Sequence, residues 1–113
     1  VNLVDFDSKY GHRNDADGYA KALSSFDSDL KKLDLLLGEG DAAIVTADHG
    51  CDPSDASTDH TREYVPIVAF GRRLKSGVNL GVRESFCDIG ATVAQLLGLG
   101  LKTGKSFAEE IVL

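Results

Sequence analysis

The sequence has 113 residues, of which 12 are basic and 18 acidic, so its net charge is −6. This length allows one domain at most, and a hydrophobic share of 42% with 27% charged residues excludes a disordered or fibrous chain. An acidic domain lacks the basic surface that nucleic acids require, and no apolar run approaches the roughly 18 residues that span a bilayer, so we expect neither nucleic acid nor membrane as a partner.

The start of the chain is unusual. It begins with Val1, contains no methionine, and its first seven residues, VNLVDFD, are typical of a strand already in progress. Either a leader has been removed or the chain is a piece of a longer protein, and we favour the piece.

A long amphipathic helix is predicted next. Asn14 and Asp17 have the spacing of a capping box at the start of this helix, and Gly38 is a suitable residue to end it. Between them, apolar residues recur at spacings of three and four: Tyr19, Leu23, Phe26, Leu30, Leu33 and Leu37.

Two strands are predicted on either side of an Asp-rich loop. Residues 42–47 are almost continuously apolar, which is typical of a strand covered on both faces in a parallel sheet. Residues 50–59 form the loop, and residues 65–70 form the next strand. Pro66 places the start of that strand at a sheet edge or leaves its first residue unpaired.

Two helices are predicted to complete the chain. Ser85 and Asp88 form a second cap pair, and Ser106 and Glu109 open a short final helix. The first of these helices carries an apolar stripe that stops near Gly98, formed by Ile89, Val93, Leu96 and Leu97. The order of elements predicts an α/β layered sheet in one domain.

The chain has two cysteines, Cys51 and Cys87, too few for a disulfide-stapled module. We expect free thiols and a cytoplasmic protein.

The chain's histidines all lie beside carboxylates. Asp48 and His49 directly follow a predicted strand, on the rim of an α/β sheet where ligands bind. Asp7 and His12 stand in the same relation to the first strand, and His60 follows the Asp-rich loop. Imidazole nitrogen and carboxylate oxygen suit divalent zinc, manganese or iron. These five residues are the candidate metal ligands.

Alternatives remain open for these residues. Neighbours on an extended chain point in opposite directions, so Asp48 and His49 share one ion only if the chain bends at Gly50, or else they serve two ions. Five ligands favour a two-metal site, whereas each Asp–His pair alone also fits a surface ion pair. Arg62, Arg72 and Arg73 suit either a phosphate clamp or solvated salt bridges.

Four segments resemble the C-terminal part of the phosphopentomutase family, within the alkaline phosphatase superfamily: VDFDSKYGHR (4–13), TADHGCDP (46–53), TDHTREYVP (58–66) and GVNLGVRESFCDIGATV (77–93). TADHG alone indicates only the superfamily. The resemblance implies a three-layer α/β/α core with a mostly parallel sheet, of which residues 1–113 are the incomplete C-terminal portion. It also implies that the N-terminal core segment and the cap domain are absent.

The resemblance further implies that Asp7, His12 and His60 hold one Mn²⁺ ion and that Asp48 and His49 hold the other, with Zn²⁺ or Mg²⁺ as substitutes. Arg62 is a candidate substrate contact. The family interconverts ribose 5-phosphate and ribose 1-phosphate, or the deoxyribose pair, through a phosphothreonine and with a sugar bisphosphate activator.

The family's phosphorylated threonine belongs to the absent N-terminal part, and Thr46, Thr58 and Thr61 do not match its position. No catalytic residue is therefore expected in this chain, and we predict no turnover from it alone. Two other functions remain open. One is a related phosphoglycerate mutase or metal-dependent phosphatase, and the other is a non-catalytic metal-binding module.

Overall fold

A computed structural model describes all residues of the chain, 1–113. In chain order the elements are a π-helix (Phe6–Tyr10), a 3-10 helix (Gly11–Arg13), α1 (Ala16–Leu36), β1 (Ala43–Thr46), β2 (Ile67–Phe70), α2 (Cys87–Leu96) and α3 (Ala108–Ile111). None of the helices combines the length and the hydropathy needed to cross a membrane.

The first residues do not form the predicted strand. The backbone turns at Val4 instead, where the carbonyl accepts hydrogen bonds from the N–H of Ser8 at 2.9 Å and from its hydroxyl at 2.8 Å. A strand requires a neighbouring strand for its backbone groups, and here the local bonds of a π-helix satisfy them. The prediction of a strand over residues 1–7 was therefore wrong for this chain.

Helix α1 begins one residue later than the predicted cap implies. Its N-cap is Asp15, whose carboxylate accepts a hydrogen bond from the Gly18 N–H at 2.8 Å. Asn14 instead ends the 3-10 helix in the left-handed conformation, with φ of 53°. The C-terminal end agrees with the prediction, since Leu37 is the C-cap and Gly38 follows it. The rings of Phe6 and Tyr19 meet edge-on, with centroids 5.2 Å apart. No residue of α1 is fully buried, so the helix packs only lightly against the rest of the chain.

The two predicted strands form, and they pair with each other. β1 and β2 are antiparallel, with Ala43 opposite Phe70 and Thr46 opposite Ile67. Residues 50–59 form the predicted loop, and β2 begins directly after Pro66. The structure is thus a mixture of helices with an incomplete two-stranded sheet. The only strand pair is not parallel, and the three-layer arrangement with a mostly parallel sheet stays a prediction.

Helix α2 buries a different face from the predicted one. Its buried residues are Asp88, Ala91, Thr92 and Ala94, whereas Val93 is 41% and Leu97 71% exposed. Its partner is α3, and the core between them is completed by Phe107, Ala108 and Ile111. The apolar stripe therefore does not mark the core of this chain, and the inward side of α2 is the one that carries Asp88 and Thr92.

Those hydrogen bonds centre on Asp88. Its carboxylate accepts from the backbone N–H of Lys105 at 2.8 Å and from the Arg83 guanidinium at 2.9 Å. The Lys105 N–H bond, followed by the bond and positive charge of Arg83, holds the pKa of Asp88 below its ordinary value despite burial. Thr92, fully buried, donates to the Asp88 carbonyl and accepts from the Phe107 N–H at 3.0 Å. This network fixes α2 against α3.

Candidate metal centre

The structure brings the five predicted ligands into one cluster. Asp7 lies on the π-helix and His12 on the 3-10 helix, while Asp48 and His49 follow β1 and His60 follows the Asp-rich loop. One ligand atom from each of Asp7, His49 and His60 lies within 4.8 Å of the other two. Segments that are far apart in sequence thus converge on one point.

The centre of the cluster is the carboxylate of Asp7. Its Oδ1 atom is buried and has no hydrogen-bond partner. The Nε2 atoms of three imidazoles lie 3.2 to 3.7 Å from it, those of His60, His12 and His49. Two of these imidazoles are in direct contact: the rings of His49 and His60 are stacked, with centroids 3.7 Å apart.

Hydrogen bonds at the opposite ring nitrogens orient two of these imidazoles. Nδ1 of His12 bonds the Thr58 carbonyl, and Nδ1 of His49 bonds the Gly50 carbonyl at 3.0 Å. A carbonyl only accepts, so each Nδ1 is the donor and each Nε2 carries a lone pair in the neutral ring. A ligating histidine is typically held in this way.

These observations test whether a cation fits the cluster. When the rings of His12 and His49 are neutral, the lone pairs of their Nε2 atoms face a buried carboxylate oxygen that has no donor, and a cation between these atoms would be bound by all of them. Nitrogen and oxygen ligands of this kind suit divalent first-row metals. The residues therefore fit a divalent metal ion.

Asp48 lies at the outer side of the cluster. Its side chain is 86% exposed, and its Oδ1 lies 3.7 Å from the Nε2 of His49. Because His49 is close to both Asp7 and Asp48, the geometry does not divide the five residues into two separate ligand sets. The assignment of Asp48 and His49 to a second ion stays a prediction.

Close backbone approach joins the π-helix to the segment after β1. Gly11 is buried, and a Cβ atom there would overlap the Sγ atom of Cys51 and lie 3.0 Å from the Phe6 carbonyl. The side chain of Asn14 adds a hydrogen bond to the Asp55 carbonyl at 3.1 Å. The absence of a side chain at Gly11 is what allows Asp7 to approach the segment that carries His49.

The thiols play no part in this cluster. Both cysteines are free, as predicted, although Cys87 is exposed. Burial, followed by the charges of Asp7, Glu63 and Asp52, raises the pKa of the Cys51 thiol. The Sγ atom of Cys51 lies against Gly11, so this thiol has a packing role.

An open groove of about 1010 Å³ adjoins the cluster. Asp48 and His49 line one part of it, and the strand β2 with residues 74–86 lines the rest. Arg62 also lines the groove and is exposed, so it is free to reach an anion. Its predicted contact with substrate stays a prediction.

Sequence reasoning missed the groups that orient the ligands. The carbonyls of Gly50 and Thr58 are backbone groups, so the order of side chains in the sequence does not reveal that they orient the histidines. Asn14 did carry a signal, since asparagine is one of the few residues that tolerates the left-handed conformation seen there. Gly11, beside a predicted ligand, was the second available signal.

Comparison with known proteins gives a consistent result. A family model described as Metalloenzyme superfamily matches residues 1–101. Three similar proteins are each named phosphopentomutase: one from Caldanaerobacter subterraneus (53% identity over 100% of this chain), one from Carboxydothermus hydrogenoformans (56% over 98%) and one from Clostridioides difficile (54% over 97%). The chain spans 29%, 29% and 28% of the lengths of these three relatives.

Proposed function

The chain belongs to the metalloenzyme superfamily, and on this premise we propose that it forms the metal-binding part of a phosphopentomutase. The whole protein would interconvert ribose 5-phosphate and ribose 1-phosphate, or the corresponding deoxyribose phosphates. The observation that carries the proposal is the identity of 53–56%, over nearly the whole chain, to proteins of that name. The cluster around Asp7 supports it, since the candidate ligands Asp7, His49 and His60 converge there.

The proposal assigns Asp7, His12 and His60 to one Mn²⁺ ion. Asp48 and His49 would contribute to a second ion, and Zn²⁺ or Mg²⁺ would bind as substitutes. When bound, the two ions supply positive charge that stabilises the attacking and leaving oxygens of a transferred phosphoryl group.

In this proposal the residues of this chain orient the metal ligands and the substrate, and none of them carries the transferred phosphoryl group. The carbonyls of Thr58 and Gly50 hold the rings of His12 and His49 so that each Nε2 faces Asp7. Arg62, exposed beside the groove, is proposed to contact the phosphate of the sugar. The phosphorylated threonine and a further aspartate ligand would come from the remainder of the protein, as would the sugar contacts of the cap domain.

We further propose that residues 1–113 are the C-terminal portion of a three-layer α/β/α core in a cytoplasmic protein that a sugar bisphosphate activates. Large apolar side chains left in water support an incomplete core, among them Val68 at 53%, Val82 at 74% and Phe86 at 55% exposed. All three line the groove next to β2. The missing strands would cover this surface.

The test compares the complete reading frame with residues 1–113. With Mn²⁺ and a sugar bisphosphate, we expect the complete protein to convert ribose 1-phosphate to ribose 5-phosphate and the chain alone to show no turnover. Each variant Asp7→Asn and His60→Ala, made in the complete protein, should lower the rate at least a hundredfold.

Other outcomes would identify the alternatives. Conversion of 3-phosphoglycerate without turnover of ribose 1-phosphate would indicate a phosphoglycerate mutase. Hydrolysis of p-nitrophenyl phosphate without mutase activity would indicate a phosphatase. Manganese binding with neither activity would indicate a non-catalytic module, and any of these results would overturn the proposal.

A further inference from the structure

Two of the metal-ligand candidates are held side by side by one short backbone contact. Gly50 and Thr61 form an isolated antiparallel bridge, in which the Thr61 N–H donates to the Gly50 carbonyl at 3.1 Å. His49 precedes one residue of this bridge and His60 precedes the other. The bridge therefore closes the Asp-rich loop and brings the two imidazoles together.

The Gly50 carbonyl serves two donors at once. Besides the Thr61 N–H, it accepts from Nδ1 of His49 at 3.0 Å. The orientation of the His49 ring thus depends on a carbonyl that Thr61 holds in place. A carbonyl oxygen has two lone pairs, so both bonds are compatible with its chemistry.

The side chain of Thr61 strengthens the same contact. Its hydroxyl oxygen accepts from the Asp52 N–H at 2.7 Å and donates to the Glu63 carboxylate. Because one neighbour supplies a proton and the other receives one, the hydroxyl is fixed in a single orientation. These bonds join Asp52, near the start of the loop, to Thr61, the second residue after its end.

Glu63 lies against the other side of the bridge. A Cβ atom at Gly50 would meet the Thr61 carbonyl at 2.6 Å, the Glu63 Oε2 at 2.7 Å and the Glu63 N at 2.8 Å. The carboxylate thus covers Gly50, which is buried. No larger residue than glycine fits at this point unless the two backbone segments separate.

We propose that Thr61, through its hydroxyl bonds to Asp52 and Glu63, is a positioning residue that sets the separation of His49 and His60 for metal binding. The inference rests on the proposed metal site and extends it to a residue that is not itself a proposed ligand. It also gives Thr61 a role other than phosphoryl transfer, because its hydroxyl is already bonded on both sides.

The experiment measures Mn²⁺ dissociation constants by electron paramagnetic resonance of the free ion, using the protein encoded by the complete reading frame. We expect Thr61→Val to weaken Mn²⁺ binding by roughly 10- to 100-fold, the range typical of residues that orient metal ligands. Thr61→Ser keeps the hydroxyl and should stay within about threefold of wild type. Thr103→Val, which removes an exposed hydroxyl elsewhere, is the matched control and should bind like wild type.

Glu63→Ala provides a second variant, because Glu63 is exposed and its removal spares the backbone bridge. It should weaken Mn²⁺ binding in the same direction as Thr61→Val, by a smaller factor. Wild-type affinity in both Thr61→Val and Glu63→Ala would overturn the inference. Equal weakening in Thr61→Val and Thr61→Ser would also overturn it, because the hydroxyl would then not be the cause.

The outcome separates this inference from the proposed function. Tight Mn²⁺ binding by wild type without mutase activity would overturn the function and still allow the Thr61 comparison. Mutase activity with unchanged Mn²⁺ affinity in the Thr61 and Glu63 variants would uphold the function and overturn the role of Thr61.

Discussion

The rings of His49 and His60 are stacked with their centroids 3.7 Å apart and their planes inclined by 21°, although a whole loop separates them in sequence. Both Nε2 atoms lie within 3.7 Å of the same oxygen of Asp7. Nitrogen and oxygen atoms gathered this closely would fit a shared cation, and the predictions on metal binding depend on that fit.

The first prediction concerns Asp7 itself. Asp7→Asn keeps the shape of the side chain but removes the negative charge at the centre of the cluster, so we expect Mn²⁺ affinity to fall by about 100-fold or more. His12→Ala and His49→Ala should each weaken binding as well. Calorimetric titration of each variant measures the effect, with Asp27→Asn on the exposed side of α1 as control. Unchanged affinity in all three variants would remove the ligand assignment.

The second prediction concerns the close approach at Gly11. Gly11→Ala places a methyl group on the Cys51 sulfur, so we expect a loss of about 1–3 kcal/mol in the free energy of unfolding and weaker Mn²⁺ binding. Adding Cys51→Ala removes the sulfur and should restore part of the lost stability and part of the lost Mn²⁺ affinity. Gly40→Ala is the control, because nothing lies within 4 Å of its Cβ position. Equal effects of the Gly11 and Gly40 variants in urea unfolding would contradict the packing argument.

The third prediction tests which face of α2 is buried. Thr92→Val removes the acceptor of the buried Phe107 N–H, so we expect a loss of about 1–3 kcal/mol in the stability of the chain. Val93→Thr changes a neighbouring side chain that is 41% exposed and should cost about 0.5 kcal/mol or less. Urea unfolding of residues 1–113 measures both. A larger effect at Val93 would show that the apolar stripe is the core face after all.

The fourth prediction is a pH dependence set by Asp88. Its folded-state pKa is lowered by the Lys105 N–H and by Arg83, so the native state favours the carboxylate. The resulting stabilisation is fully present above the ordinary carboxyl pKa of about 4 and is lost as the pH falls through the lower folded value. Wild type should therefore exceed Asp88→Asn in stability at pH 6, and the difference should shrink below pH 4. Urea unfolding in EDTA measures this without metal, and Asp27→Asn should show no such difference.

The fifth prediction concerns the exposed sheet. Both strands have a free edge, and Val68 on β2 is 53% exposed, so we expect residues 1–113 alone to self-associate as concentration rises. Val68→Lys should reduce the association, because charge at a sheet edge opposes pairing. Sedimentation velocity measures the mass, with Val4→Lys as a control away from the sheet. A monomer at all concentrations would contradict the expectation.

The boundaries of most elements followed from local chemistry. Pro66 before β2, Gly38 after α1 and Ser106 before α3 mark the ends that the structure shows. The exceptions are the N-cap of α1, which is Asp15 and not Asn14, and the start of the chain, where apolar residues indicated a strand and the structure has a π-helix. Strand formation depends on a partner strand, and a local pattern carries no information on whether one is present.

The candidate ligands also followed from residue type, because imidazole nitrogen and carboxylate oxygen suit such ions and each histidine has an aspartate nearby in the sequence. That Asp7 is the common neighbour of all three histidines could not be predicted in this way. It depends on the turn at Val4, on the space left by Gly11 and on the carbonyls of Gly50 and Thr58, which are properties of the folded backbone.

The sequence by itself determined α1, α2, α3, the strands β1 and β2, the free thiols and the five candidate metal ligands, since each depends on composition or short-range spacing. Only the tertiary structure decided the antiparallel pairing of β1 with β2, the burial of Asp88 and Thr92 in place of the apolar stripe of α2, and the gathering of the imidazoles round one oxygen. These features depend on contacts between segments distant along the chain. Such contacts are selected by packing and hydrogen bonding of the whole molecule, which no short stretch of sequence encodes.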